Sequence, residues 1–105
     1  MTNYINWMQK SQPIKGGVLT GQGNAAENHE ITASSVSSSV APNNADYAMV
    51  WTDSTNGATV AATNLDGRVA GMVIADGKTI AIPSLFVLEV FNVKGGETTI
   101  TMTDI

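Results

Sequence analysis

A period of two between polar and apolar residues constrains the fold of this chain more than any other feature. In residues 97–104, ETTITMTD, threonines alternate with an isoleucine and a methionine. Successive side chains of a β-strand point to opposite faces, so this alternation predicts a strand with one buried face. Runs rich in β-forming residues recur through the second half of the chain, at residues 46–52, 58–63, 68–74, 78–82 and 84–93.

Turn sequences separate these runs at the spacing that is typical of a sandwich or barrel. The dipeptides NG at 56–57 and DG at 76–77 are expected to close hairpins, because both favour two-residue hairpin loops. DG at 66–67 supplies another turn. Pro83 ends the run at residues 78–82, since proline has no backbone donor. No window beyond the first dozen residues has a helical period, so the pattern predicts an all-β chain.

Two runs carry more specific expectations. In residues 78–82, Ile80 and Ile82 share one face of the predicted strand. Residues 84–93, SLFVLEVFNV, are apolar on both faces except at Glu89 and Asn92. An apolar run without alternation is typical of a strand that is covered twice, so we expect a central strand here.

A serine-rich stretch, ITASSVSSSVAP at residues 31–42, precedes these runs. Its apolar residues change parity at Ser34 and Ser35, which a β-bulge explains because a bulge inserts one extra residue into a strand. We therefore expect residues 30–40 to form a bulged strand, the first of the domain and near a sheet edge. A disordered tract is the alternative interpretation.

The N-terminal region differs from the rest, since it contains four of the ten glycines and no sustained period. We expect an extended N-terminal arm over residues 1–27 and one antiparallel β-sandwich over 28–105. The sandwich is expected to have about seven strands, in a jelly-roll or immunoglobulin-like arrangement.

A small apolar group lies at the start of the arm, at Tyr4, Ile5, Trp7 and Met8. One interpretation is that the group folds back onto its own domain. The other is that these residues bind a neighbouring subunit, because aromatic side chains on an arm are well suited to anchor an interface.

Charge and cysteine content narrow the function classes. Nine acidic and five basic residues give a net charge of −4 with no basic cluster, which argues against binding to nucleic acid. The absence of cysteine removes disulfides and thiol chemistry. The sequence has no signal-peptide pattern and no apolar run of about 20 residues, so we expect neither a cleavable leader nor contact with a membrane.

Catalytic and metal-binding patterns are weak. The single histidine, His29, is expected to be a solvated residue rather than a general base. Asp53, Asp66 and Asp76 each lie in or beside a turn, and turn formation explains them better than a calcium loop does. The GQG at residues 21–23 lacks the strand and helix of a dinucleotide site. We therefore expect no enzyme activity, no metal and no cofactor.

Tyr47 and Trp51 lie four residues apart in one predicted strand and so share a face, with Met49 between them. If that face points inward, both rings belong to the core. If it points outward, Ala48 and Val50 fill the core, and the rings form a platform for a sugar or a partner protein.

The order of these pieces is similar to that of small structural proteins of tailed-phage particles. The resembling segments are residues 41–51, 71–82 and 85–93, about half of the chain. The resemblance implies a head-decoration, head-fibre or minor-capsid β-sandwich, without catalytic residues, that is made in the host cytoplasm and works in the virion. It also implies partners among other virion proteins and copies of the chain itself. A homo-oligomer such as a trimer is expected, because an isolated arm needs a partner surface to become ordered. The alternative is a carbohydrate-binding or adhesive module.

Overall fold

The structure, a computed structural model, describes residues 2–8, 12–13, 19–20, 36–67 and 74–105, with the backbone alone at 12–13, 19–20 and 36. All regular elements within these residues are β-strands, and none is a helix. In chain order the strands are β1 Asn3–Met8, β2 Gln12–Pro13, β3 Leu19–Thr20, β4 Val36–Val40, β5 Tyr47–Thr52, β6 Ala58–Thr63, β7 Thr79–Ile82, β8 Leu88–Val90 and β9 Thr99–Asp104.

Seven of these strands form two antiparallel sheets. One sheet has the order β1-β5-β8 and the other has the order β4-β9-β6-β7, while β2 and β3 pair with each other. β1 contacts β4 and β9 across the space between the two sheets. The predicted all-β antiparallel sandwich of about seven strands is confirmed.

Alternation places the core between the two sheets. The inward side chains are aliphatic, small or aromatic, and almost all are fully buried. Those of the three-stranded sheet are Ile5, Trp7, Ala48, Val50, Leu88 and Val90; those of the four-stranded sheet include Ala58, Val60, Ala62, Ile82, Ile100 and Met102. Burial of such apolar side chains is the main driving force for folding.

A buried hydrogen bond also joins the two sheets. The indole Nε1–H of Trp7 donates to the hydroxyl of Ser39 over 2.9 Å. Ser39 can face inward because β4 carries Ser37 and Ser39 on its core side and Ser38 on its outer side. The serine therefore gives the buried indole the polar partner that a desolvated N–H group needs.

The first strand corrects the predicted domain boundary. Residues 3–8 do not belong to an arm, because β1 pairs with β5 from Asn3 opposite Thr52 to Met8 opposite Tyr47. The interpretation in which the apolar group folds back onto its own domain is the one that the structure shows. Apart from β2 and β3, the rest of the predicted arm lies outside the described residues.

The NG turn is present, but it does not close a hairpin. β5 belongs to the three-stranded sheet and β6 to the four-stranded sheet, so residues 53–57 carry the chain from one sheet to the other. Gly57 has a φ of +84°, and a Cβ at this position would lie 2.3 Å from the carbonyl oxygen of Ile82. Only glycine fits both this backbone conformation and this close approach.

The prediction for residues 84–93 is wrong. The strand is limited to Leu88–Val90 and has β5 on one side, and no other described strand pairs with it. Leu88 and Val90 face the core, but the apolar residues Leu85, Phe86, Val87 and Phe91 on either side of the strand are exposed. The run lacks alternation because both of its faces are apolar, and one of them is not covered by any described part of the chain.

The remaining strand predictions agree with the structure within a residue or two at residues 46–52, 58–63, 78–82 and 97–104. Ile80 and Ile82 share the inner face of β7, as the pattern predicts. The serine-rich strand lies at the edge of its sheet, as expected, but it is not the first strand of the domain. Its predicted bulge at residues 34–35 and the predicted strand over 68–73 lie outside the described residues.

Candidate interaction surface on the three-stranded sheet

The outer face of the three-stranded sheet is unusually rich in aromatic and sulfur-containing side chains. Alternation turns every second residue of β1, β5 and β8 away from the core, and the register aligns them in rows across the sheet. We define the aromatic face by these outward residues: Tyr4, Asn6 and Met8 of β1, Tyr47, Met49 and Trp51 of β5, Glu89 of β8, and Phe91, which follows β8. Most of them are half-buried, and Glu89 and Phe91 are exposed.

Tyr4 and Trp51 form one end of the aromatic face. They lie directly opposite each other in the register, and their rings stack with centroids 3.9 Å apart and planes 9° from parallel. A cross-strand aromatic pair of this kind stabilises a sheet by about 0.5–1 kcal/mol. Stacking covers one face of each ring, so a ligand can contact only the opposite faces and the edges.

Tyr47 and Phe91 form the other end. Their ring centroids lie 6.2 Å apart, with planes at 27°. Met8 is opposite Tyr47 in the register, so a flexible thioether adjoins this pair. The face thus presents two aromatic pairs, separated along the strands by the row of Asn6, Met49 and Glu89.

An exposed apolar loop adjoins the Tyr4–Trp51 end. We define the apolar loop as Leu85, Phe86 and Val87, whose exposed fractions are 68%, 46% and 46%. The backbone N–H of Leu85 donates to the carbonyl oxygen of Thr52 over 2.8 Å, and that of Phe86 donates to Pro83 over 3.2 Å. These two bonds fix the loop beside the end of β5.

Backbone geometry at Leu85 indicates that the loop is held against a local preference. Its φ is +65°, in the left-handed region that a branched residue seldom occupies. Such a conformation costs of order 1–2 kcal/mol and persists where surrounding structure imposes it. In this conformation the large apolar side chain of Leu85 lies in solvent.

Among the described residues, the charged side chains beside this surface are all acidic. Glu89 is the single charged residue of β1, β5 and β8, and it lies opposite Met49 in the register. Asp46 and Asp53 flank β5 at its two ends, and Asp53 accepts a hydrogen bond from the backbone N–H of Thr2. Glu89 makes no ion pair or hydrogen bond with any residue that the structure describes.

The predicted partner-binding residues divide between the two faces of β1. Ile5 and Trp7 are fully buried in the core, so the prediction that they contact a partner is wrong for both. Tyr4 and Met8 lie on the aromatic face, where the prediction that they contact a partner stays open. Their outward position follows from the alternation of side chains along a β-strand. The prediction of an extended arm did not take this alternation into account.

Tyr47 and Trp51 point outward, with Ala48 and Val50 fully buried behind them. Of the two orientations that the sequence left open, the outward one is present. Sequence reasoning missed Phe91 and the apolar loop. Glu89 was a signal for Val87 and Phe91, because it shares their parity and so marks that side of the run as the outer one. Phe86 has the parity of the buried Leu88 and Val90, so no pattern in the sequence marked it as exposed.

Other candidate chemistry is sparse in the described part of the chain. There, no three His, Cys, Asp or Glu side chains lie close enough to hold a metal ion. Asp76 accepts a hydrogen bond from the backbone N–H of Leu65 over 2.8 Å, which is a structural role between two loops. No helix in the described ranges is long and apolar enough to cross a membrane. His29 and the GQG at 21–23 lie outside the described residues.

Comparison with known proteins gives no match to this chain among family models, curated proteins or solved structures.

Proposed function

We propose that this protein is a non-enzymatic structural protein, a decoration or minor component of a phage particle, which works by contact between its sandwich surfaces and neighbouring subunits. The observation that carries the proposal is the aromatic face with its adjoining apolar loop. An apolar surface that no described part of the chain covers is typical of a protein-interaction site.

The proposed contact is anchored by the aromatic face and not by an arm. Aromatic rings and methionine are enriched in the centres of protein interfaces, and rings held in fixed positions lose little entropy on binding. The Tyr4–Trp51 stack and the strand pairing beneath it hold the rings before a partner arrives. Pre-organisation of this kind lowers the entropic cost of association.

The opposite side of the sandwich offers a second, different surface for contacts between copies. We define the threonine face as the outward side chains of the four-stranded sheet, among them Ser38, Thr59, Thr99, Thr101 and Thr103. No charged side chain points outward from these four strands, so two negatively charged copies can approach here without placing like charges in contact.

Antibody labelling tests the virion assignment. Antibodies raised against the purified protein should label phage particles produced by cells that carry its gene, at regular positions visible by electron microscopy. Mass spectrometry of gradient-purified particles should find the chain in a fixed ratio to the major capsid protein. Particles that contain none of the chain, whether intact or disrupted, would contradict the proposal.

Carbohydrate binding is the second candidate, and one observation favours it: Tyr47 and Trp51 both point outward. Sugars bind flat on exposed aromatic rings. The Tyr4–Trp51 stack leaves only one face of the Trp51 ring available for such a contact. A glycan array that gives a signal with the intact protein and loses it in Trp51→Ala would favour this function over the structural one.

A further inference from the structure

We propose that the partner of the aromatic face is an apolar polypeptide surface that carries arginine, and that Glu89 is the residue that selects it. This inference rests on the proposed function, because it names the chemistry of the partner that the interaction surface receives. It follows from the position of Glu89, the sign of the nearby charges and the arrangement of the rings.

Glu89 lies at the centre of the β8 side of the surface. It is opposite Met49, so Trp51 and Tyr47 are its diagonal neighbours on β5, at about 7–8 Å between Cα atoms. Within the described residues its carboxylate has no cation of its own. A carboxylate at the edge of an apolar docking surface loses part of its water on binding, and that desolvation is unfavourable unless the partner supplies a positive charge.

Arginine fits this position better than lysine does. Its planar guanidinium can bind a carboxylate through two parallel hydrogen bonds and can also stack on an aromatic ring. Trp51 and Tyr47 are the two diagonal neighbours of Glu89 on β5, so a guanidinium that pairs with the carboxylate can also reach one of these rings. Apolar side chains of the same partner would then contact Phe86, Val87 and Phe91.

The same charges disfavour a second copy as the occupant. The strands of this sheet carry no basic residue, and Asp46 and Asp53 flank its central strand. In a symmetric face-to-face pair each copy would place its Glu89 against the same acidic, apolar surface. Like charges brought together without water oppose association, so the surface discriminates against self-association.

Three synthetic peptides of seven residues test the partner chemistry. Each has valine at every second position, and the intervening positions are arginine in one peptide, serine in the second and glutamate in the third. Trp7 is fully buried and Trp51 is half-buried, so a change in tryptophan fluorescence on titration reports on the aromatic face. We expect saturable binding of the arginine peptide, at least tenfold weaker binding of the serine peptide and none of the glutamate peptide.

Variants of the full chain separate charge from apolar contact. Glu89→Gln should weaken binding of the arginine peptide about three- to fivefold, as expected for one partly exposed ion pair. It should leave the serine peptide unchanged and reduce the salt dependence of binding between about 0.05 and 0.5 M NaCl. Phe86→Ser should weaken the binding of both the arginine peptide and the serine peptide.

Val40→Ser is the matched control, because Val40 is 58% exposed on the other sheet. It should leave the affinity for all three peptides unchanged. Unfolding midpoints within about 2 °C of wild type would show that each variant is folded. The midpoints can be followed by circular dichroism.

Four outcomes would overturn the inference. Equal affinities for the three peptides would mean that charge does not select the partner. An unchanged affinity of Glu89→Gln for the arginine peptide would mean that Glu89 only keeps the face soluble. A concentration-dependent dimer that Glu89→Gln strengthens and Phe86→Ser abolishes would identify a second copy as the occupant. Glycan binding that competes with the arginine peptide would identify a sugar. A failure of the particle-labelling experiment leaves the peptide result standing, so the two proposals fail separately.

Discussion

Gly57 shows how one residue can determine the path between two sheets. The chain must leave β5 of one sheet and enter β6 of the other within five residues, and it passes beneath the backbone of Ile82 as it does so. A positive φ and the absence of a Cβ are both required at this point. Gly77 has a similar φ of +73°, but a Cβ there would meet no atom within 4 Å.

This pair of glycines gives a prediction with an internal control. Gly77→Ala should lower the free energy of unfolding by about 1 kcal/mol, because it adds only backbone strain. Gly57→Ala should lower it by more than about 2 kcal/mol, because strain and a clash with a backbone carbonyl combine. Urea unfolding of the two variants measures the difference. Equal losses would mean that the loop can move away from Ile82 at little cost.

Trp7 and Ser39 form the polar link across the core. Removing one partner leaves a buried polar group unsatisfied, so single substitutions overstate what the bond itself contributes. A double-mutant cycle with Trp7→Phe and Ser39→Ala should give a coupling energy of about 1 kcal/mol. Additive losses would indicate that the indole N–H finds another acceptor when the hydroxyl is removed.

At the scale of elements, β1 is the strand that sequence reasoning did not place. β6 and β9 were predictable because each has an apolar inner face and a polar outer one. In β1, Tyr4 and Met8 on the outer face are as apolar as Ile5 and Trp7 on the inner face, so the contrast that reveals a strand is missing. The exposed apolar residues of 84–93 suggested a central strand for the same reason.

Both errors therefore fall on the one sheet that carries the candidate surface. Alternation in a sequence reveals a strand well when its outer face is polar. It reveals a strand less well when the outer face is as apolar as the inner one. The outward orientation of Tyr47 and Trp51 could not be decided from β5 alone, since its two faces are Tyr-Met-Trp and Ala-Val-Thr. It is decided by the small residues, which fit between two closely packed sheets.

Deletion of residues 1–8 distinguishes a strand of the core from an arm. Without β1 the sandwich loses Ile5, Trp7 and the pairing partner of β5, and loss of even one large buried side chain costs several kcal/mol. We expect the shortened chain to lose cooperative thermal unfolding, as measured by circular dichroism. The double variant Tyr4→Ser with Met8→Ser, which alters only the outer face, should keep it. A shortened chain with an unchanged midpoint would restore the arm interpretation.

On the scale of the whole molecule, the sandwich presents two outer faces of opposite character. The aromatic face is largely apolar and carries one carboxylate on its edge strand β8, whereas the threonine face carries no charge. A subunit with two different faces can bind a dissimilar partner on one side and its own copies on the other. The rigid core between the faces would hold the two contacts in a fixed relation.

Substitutions of threonine by lysine test whether copies meet through the threonine face. Thr103 is exposed on the outer face of β9 and lies opposite Thr59 of β6 in the register. Thr103→Lys therefore introduces a charge into the threonine face with little effect on the core. If the face joins copies, sedimentation velocity should show the wild type associating as its concentration rises and Thr103→Lys remaining a monomer. Thr55→Lys, in the exposed turn before Gly57, carries the same change outside the face and should associate like the wild type.

A wild type that stays monomeric at all concentrations, or a Thr103→Lys variant that associates equally well, would mean that the copies do not meet through this face. Because the arginine peptide contacts the other side, its affinity should be the same in all three proteins, whichever way the association experiment turns out.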